Sequence, residues 1–272
     1  MRIWEIKVLY YGKINVPKAA LTPGFDADLI LDWPYLGFLL QSENEKVLVD
    51  TGIADHFIVE GKAWGGWPAE AGRAYLEKAL ADAGVNPKDI DTLIFTHLHN
   101  DHAANTSLFE NARLIFQKDE WATLLNPLPA MNIRKDYDPM LIDELRRMDC
   151  IQIDGDMKLT EGIHLYKTPG HTPGSQSVAV DTVDGTKFIV GDHWHVYCMA
   201  FSKQDEVVDM SGNRHTITPA PDVYEGFIPS SLIYNYYDYY DSCYKLKALM
   251  GNRFLPESLL PGHEPSLIVT GP

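Results

Sequence analysis

Thr96-His97-Leu98-His99-Asn100-Asp101-His102 is the stretch on which the reading of this chain turns. Four side chains able to bind metal fall within six positions, directly after the short apolar run Thr92-Leu93-Ile94-Phe95, which reads as a buried strand. In extended backbone, side chains two apart share a face, so His97 and His99 can point toward one ion. Asp101 and His102 follow as the chain turns and can present an oxygen and a nitrogen to a second. One histidine there would be ordinary loop polarity; four donors in this order are not.

Working outward, the same arrangement recurs: a short apolar strand, a small residue or turn, then a metal-ligand residue. His164-Leu165-Tyr166-Lys167 runs into Thr168-Pro169-Gly170-His171-Thr172-Pro173-Gly174, where two Pro and two Gly hold a turn around His171. Lys187-Phe188-Ile189-Val190 ends in Gly191-Asp192, and Ser258-Leu259-Leu260 leads into Pro261-Gly262-His263. His171 or His263 alone would more often be structural; jointly with the opening motif they point to a shared cleft. Asp50-Thr51-Gly52 closes another strand, where an Asp can equally cap the chain or serve a site.

The elements between are expected as follows. Ile3 to Tyr11 alternates as a strand, Lys13 to Pro34 is a long loop, and Leu36–Leu40 with Lys46–Val49 forms a hairpin across Gln41-Ser42-Glu43-Asn44-Glu45. His56 to Trp67, with three Gly and two Trp, is a loop that can border a pocket. Leu76, Leu80 and Ala83 repeat at helical spacing, with Pro68 in the first turn and Gly84 as the stop. Further helices are expected after Ala103, over Asp119–Leu125 and Pro139–Met148, with strands at Arg113–Phe116 and Ser177–Val180. Met210 to Asp222 reads as an exposed loop, and Ser230 as the cap of a helix running to about Met250.

Composition bounds the function. Hydrophobic residues at 45% and charged residues at 22% are ordinary globular usage. A net charge of −15 argues against a nucleic-acid surface, which needs clustered Lys and Arg. Cys150, Cys198 and Cys243 form no CxxC pair, so neither a disulfide framework nor a thiolate zinc site is indicated. The N-terminus Met1-Arg2-Ile3-Trp4-Glu5-Ile6-Lys7-Val8 alternates where a signal peptide would be apolar, and no run reaches the roughly 18 apolar residues of a membrane span. The expectation is a cytoplasmic protein with a small-molecule substrate, no nucleic-acid or membrane partner, and no linker dividing 1–272 into separate domains.

These residues, in this order, resemble the metallo-β-lactamase superfamily, and within it the N-acyl-homoserine lactonase-like metal-dependent hydrolases. The resemblance rests on Asp50, the HxHxDH motif from His97 to His102, the Pro-Gly-His-Thr turn at His171, Gly191-Asp192 and Gly262-His263. It implies an α/β fold, an αββα sandwich of two sheets flanked by helices, with the site at one edge between them. It also implies two divalent ions: His97, His99 and His171 on the first, Asp101, His102 and His263 on the second, and Asp192 bridging. Nitrogen and carboxylate donors without thiolate suit Zn²⁺ first, with Mn²⁺, Fe²⁺ and Co²⁺ also compatible. The redox di-iron branch typically carries Glu where this chain has His99, so the chain looks hydrolytic.

The activity so implied is the opening of a lactone or related cyclic ester by a metal-bridging hydroxide, with Asp101 passing a proton to the leaving oxygen. The lactonases commonly carry Tyr three residues after the bridging Asp, whereas this chain has Asp192-His193-Trp194-His195. His195 can supply the hydrogen bond to the substrate carbonyl, or His193 and His195 can both be packing groups behind the site. Two other readings stay open: a metallo-hydrolase of thioesters, amides or β-lactams, and a non-catalytic metal-binding sensor on the same scaffold. Tyr234, Tyr236, Tyr237, Tyr239, Tyr240 and Tyr244 can line a pocket, pack in the core or form the contact of a homodimer.

Overall fold

The computed structural model describes residues 2–43, 45–224 and 226–272. A first sheet of eight strands contains β1 (Glu5–Pro17), β2 (Ile30–Ser42), β3 (Glu45–Val49), β4 (Lys62–Ala63), β5 (Trp67–Ala71), β6 (Thr92–Ile94), β7 (Arg113–Gln117) and β8 (Cys150–Ile153), in the order β4-β5-β1-β2-β3-β6-β7-β8. A second of five contains β9 (Met157–Thr160), β10 (Ile163–Lys167), β11 (Gln176–Thr182), β12 (Gly185–Gly191) and, after the short ribbon of β13 (Glu206–Val208) and β14 (Arg214–Thr216), β15 (Leu259–Pro261).

Alternation along the strands builds the layers. Leu36, Phe38 and Leu40 of β2 meet Val178 and Val180 of β11 and Ile189 of β12 in the core between the sheets. The intervening Ala179, Phe188 and Val190 face the other way, into a second cluster with Tyr239, Cys243 and Leu246 of α6 (Tyr236–Met250). On the first sheet, Leu9 and Leu48 belong to that cluster with the buried Leu76 and Leu80 of α1 (Arg73–Asp82). The sandwich has a helical layer outside each sheet, as the resemblance implied.

Two strand pairs are parallel at the edge that matters. Val49 of β3 is opposite Ile94 of β6, so Asp50 and the Thr96–His102 loop leave adjacent strand ends together. Gly191 of β12 is opposite Pro261 of β15, which delivers Asp192 and His263 as neighbours.

Several sequence expectations are corrected. Residues 13–34 are not one long loop: β1 continues to Pro17 and β2 begins at Ile30, because Ile14 and Val16 are buried and Asp32 accepts from Lys13 Nζ and Asn15 Nδ2, both at 2.8 Å, across the pair. Pro68 lies in β5, whose Ala69 to Ala71 pair with β1, so α1 starts only at Arg73. Arg214–Thr216 is strand rather than loop. α6 begins at Tyr236 with Asn235, not Ser230, accepting from the first-turn amides of Tyr237 and Asp238. β8, β9 and a short helix α3 (Pro129–Arg134) were not anticipated. The β2–β3 hairpin and the strands at 92–95, 113–116, 164–167, 177–180 and 187–190 are as expected, though Asn44 of the hairpin loop and Met1 of the N-terminal reading lie outside the described residues. Among the described residues no helix is long and apolar enough to cross a membrane.

The segment 18–29 is pinned by a buried ion pair. Lys18 Nζ lies 2.8 Å from Asp26 Oδ2 and donates to Thr22 Oγ1, and Asp26 also accepts from the Thr218 amide and hydroxyl. Burial pushes the Asp26 carboxyl up, but the Lys18 ammonium and the Thr218 donors outweigh it and hold it below the ordinary value of 3.8. A carboxyl lowered on folding stabilises above its unfolded value and loses that contribution as pH falls through its folded value. Asp26→Asn, which leaves Lys18 buried without its counter-charge, is expected to cost roughly 3–5 kcal/mol in urea unfolding at pH 7. The wild-type margin is expected to shrink below pH 3.8, and a constant margin down to pH 2 would contradict it.

Candidate metal centre

The side chains of His97, His99, Asp101, His102, His171, Asp192 and His263, all buried, converge where the two sheets' ends meet. Ligand atoms of His97, His99 and His171 form one group and those of Asp101, His102, Asp192 and His263 a second, each within 4.8 Å. Asp192 faces both: its Oδ1 is 3.1 Å from His102 Nε2 and 3.1 Å from His263 Nε2, and its Oδ2 is 3.5 Å from His171 Nε2. His195, the eighth residue singled out, reaches the same oxygen, with Nε2 3.1 Å from Asp192 Oδ2.

The sequence builds this edge by close approach. A Cβ on Gly191, which sits at φ +51°, would come within 2.5 Å of Thr96 Oγ1, and one on Gly262 within 2.9 Å of Asp192 Oδ1. Only glycine lets the two strand ends reach the histidine loop. Gln176 ties the sheets together by donating its amide to Thr96 O and its side chain to Phe95 O, both at 2.8 Å.

Four of the rings are held by an acceptor behind them. His102 Nδ1 lies 2.8 Å from Asp50 Oδ2, His171 Nδ1 2.8 Å from Leu232 O, and His263 Nδ1 2.8 Å from Pro34 O. Thr96 gives its hydroxyl hydrogen to Asp50 at 2.7 Å, so its oxygen is free to accept from His97 Nδ1 at 3.1 Å. With Nδ1 donating, Nε2 of these four rings is aimed into the centre, the arrangement that orients metal-binding imidazoles. Asp50 thus serves the site through His102 and Thr96.

Several of the atoms facing inward have no hydrogen-bond partner among the described residues. His97 Nε2, His102 Nε2, Asp192 Oδ1 and both Asp101 oxygens are buried with no hydrogen bond among the described residues. His99 Nδ1 stands 3.1 Å from the His171 Nε2 lone pair. Buried polar atoms so arranged are costly on their own, and a pair of divalent cations between them satisfies the set. Burial drives His97 and His99 far below the ordinary imidazole value and His171 to about 3 despite the Asp192 carboxylate, so these rings stay neutral as metal binding requires. Burial acts the same way on His102 and His263, but the carboxylates, Asp192 foremost, outweigh it and raise both. The residues present fit two divalent ions.

The centre opens on a cavity of about 1090 Å³. Asp192, His195 and His263 lie at its floor; Ile14, Val16, Trp33, Phe57, Trp64 and Leu232 make its sides largely apolar. The 56–67 loop borders it as the sequence suggested. None of the six tyrosines of 234–244 lines it. Tyr239 is core, stacked on His193 and donating to Ile228 O at 2.7 Å, while Tyr236, Tyr237 and Tyr244 are exposed on α6, which leaves the subunit-contact reading for them. His193 is also core: its Nε2 meets Cys243 Sγ at 3.3 Å and burial drives it to about 3.

Two residues escaped the sequence reading. Glu120, fully buried at the start of α2 (Lys118–Leu125), accepts from Leu98 N at 2.7 Å, Gly174 N at 2.9 Å and Tyr137 Oη at 3.3 Å. It joins the His97–His99 loop to the His171 turn, and the Tyr137 ring packs on His99. Its helix looked ordinary, and nothing in the pattern marks an inward carboxylate. Tyr35 of β2, also fully buried, packs edge-on against His263 at 5.7 Å, and its hydroxyl has no partner among the described residues.

Residues 33–217 match the model of the metallo-beta-lactamase superfamily. N-acyl homoserine lactonase AiiA of Bacillus thuringiensis subsp. kurstaki is 30% identical over 185 residues, covering 64% of this chain and 66% of that protein, just under two thirds of its length. N-acyl homoserine lactonase AiiB of Agrobacterium fabrum is 30% identical over 167 residues, 56% of this chain and 59% of the relative. Among solved structures, an N-acyl homoserine lactone hydrolase with N-hexanoyl-L-homoserine at its catalytic metal centre superposes at TM-score 0.74, with 21% identity over 97% of this chain and 94% of that one. The dizinc quorum-quenching lactonase AidC does so at 0.68, with 19% identity over 97% and 88%.

Glu120→Ala strands the Leu98 and Gly174 amides and the Tyr137 hydroxyl. At about 1–3 kcal/mol for each buried donor left unpaired, a loss of several kcal/mol in denaturant unfolding is expected, against under 1 kcal/mol if the carboxylate were dispensable.

Proposed function

The chain belongs to the metallo-β-lactamase superfamily, and we propose that it is a dinuclear metal-dependent hydrolase that opens a lactone or related cyclic ester. The observation that carries this is the pair of buried ligand groups joined by Asp192 at the floor of a largely apolar cavity. His97, His99 and His171 would hold one ion, Asp101, His102 and His263 the other, and Asp192 both; the donor set favours Zn²⁺. Two such ions supply, when bound, a water of lowered pKa and Lewis-acid polarisation of a carbonyl.

The chain's own residues do the rest. Apolar walls hold the substrate's carbon skeleton and keep bulk water from the carbonyl. His195, on the cavity floor beside Asp192, donates a hydrogen bond to the carbonyl oxygen as charge gathers there. Asp101, whose two oxygens have no hydrogen-bond partner among the described residues, hands a proton to the oxygen that leaves. The similarity to proteins named as N-acyl homoserine lactonases supports a lactone over a thioester, amide or β-lactam. His195, where those enzymes commonly carry tyrosine, argues that the native lactone differs in detail from theirs.

Elemental analysis of the purified protein is expected to give about two divalent ions per chain. Chelation should abolish release of acid from a panel of lactones varied in ring and tail, and Zn²⁺ should restore it. A fully loaded protein that turned over none of the panel would end the lactone reading; faster turnover of thioesters or β-lactams would replace it, and two bound metals with no turnover of any class would indicate a sensor. His195→Phe is expected to keep both ions and lower kcat by about 10²-fold, the size of effect seen when one donor to a developing oxyanion is removed. An unchanged kcat would return His195 to packing.

A further inference from the structure

We propose that Tyr35 is a further catalytic residue, donating a hydrogen bond to the leaving oxygen of the substrate as the carbonyl carbon to oxygen bond breaks. The inference rests on the hydrolase reading above and assigns a second donor to it.

Tyr35 stands on β2 directly after Pro34, whose carbonyl oxygen orients His263. Its ring meets the His263 ring edge-on at 5.7 Å and the Trp64 ring edge-on at 6.4 Å, so it is wedged between a centre histidine and the cavity wall. The side chain has no exposed area, and its hydroxyl is buried without a hydrogen-bond partner among the described residues. That combination is unusual, because a buried tyrosine hydroxyl ordinarily finds an acceptor in the fold. Other buried tyrosines here do so: Tyr239 donates to Ile228 O and Tyr137 to Glu120. Tyr11, also on the first sheet, reaches Asp50 O at 3.4 Å. Tyr35 is thus held in place by packing alone, its ring against His263 and its hydroxyl without a partner among the described residues.

Ester hydrolysis creates two oxygens that need donors: the carbonyl oxygen, which becomes negative on attack, and the ring oxygen, which takes the electron pair of the breaking bond. His195 stands over Asp192 Oδ2, its ring between His171 at 5.3 Å and His263 at 5.4 Å. Tyr35 stands against His263, which meets Asp192 Oδ1 and lies 3.6 Å from Asp101. His195 thus spans both halves of the centre, whereas the ring contact that Tyr35 makes there, among the described residues, is with His263, the histidine beside Asp101, the proton source for the departing oxygen. The balance is simple: water adds its oxygen to the carbonyl carbon, the carbon to ring-oxygen bond breaks, and the ring oxygen is protonated through Asp101. Tyr35 keeps its proton and lends only the hydrogen bond.

A donor to a leaving oxygen matters most when that oxygen is basic. The test is Tyr35→Phe in the metal-loaded enzyme, assayed on an aliphatic γ-lactone, whose leaving group is an alkoxide, and on dihydrocoumarin, whose leaving group is a phenoxide. The expected result is a kcat lower by about ten- to a hundredfold on the aliphatic lactone and by less than about threefold on the aryl lactone. Metal content should be unchanged and Tm equal or higher, because the variant removes an unpaired buried hydroxyl. Equal losses on both lactones, no loss on either, or a loss of metal or Tm would overturn the assignment and make Tyr35 a packing residue. Wild-type enzyme inactive on these and on every other lactone of the panel would instead end the lactone reading and this inference with it.

Discussion

Asp192 is a buried carboxylate whose ion-pair partners, among the described residues, are all histidines: His102 and His263 at one oxygen, His171 and His195 at the other. Burial opposes its charge, yet the surrounding imidazoles hold it ionised. No Lys or Arg shares that task, and an uncompensated buried carboxylate costs several kcal/mol. Bound cations would take that task over from the imidazoles, and the fold brings the side chains for it together. Ligands come from the β6 loop, the turn after β10 and the ends of β12 and β15, and parallel pairing places the last two side by side.

Behind the ligands lies a layer that fixes direction. Asp50 joins His102 to Thr96 and, through Thr96, to His97, while Glu120 joins the first histidine loop to the His171 turn. Backbone carbonyls of Pro34 and Leu232 do the same for His263 and His171. Imidazoles fixed from behind present lone pairs without paying rotamer entropy when a ligand binds, so stability of this layer and affinity of the centre are one property.

How much of this was legible follows from the range of the interactions. The convergence of the candidate ligands was readable because each follows a short apolar strand, and a strand end is a local pattern. The inter-sheet core was readable for the same reason, through alternation at Leu36, Phe38 and Leu40. Where a long-range partner decides, the pattern was silent or misleading. Lys13 and Asn15 look like loop polarity until Asp32 is set opposite them. Pro68 looks like a helix start until β5 pairs with β1. Ser230 and Asn235 are both good caps, and only the packing of α6 on the His171 turn, with Ser242 donating to Pro169 O, selects the later one. Glu120 and Tyr35 carry no motif, because their roles exist only once distant segments meet.

Chemistry and specificity consequently sit in different parts of the molecule. The centre is buried and built on strand ends, whereas the mouth of the cavity is built from the 56–67 loop and residues 132–140, where Ile133 is 82% exposed and Gly65 and Gly66 adjoin Trp64 and Trp67. Among the described residues one ion pair spans these two walls: His56 Nε2 lies 3.0 Å from Asp138 Oδ2. On the second wall Arg134 is paired to Asp136 at 3.1 Å, so its cation is committed within its own segment. The width of the entrance depends on loops joined by a single half-exposed pair, while the ligand geometry depends on two sheets. Substitutions in those loops can change which small molecules are admitted without moving the side chains of the buried centre.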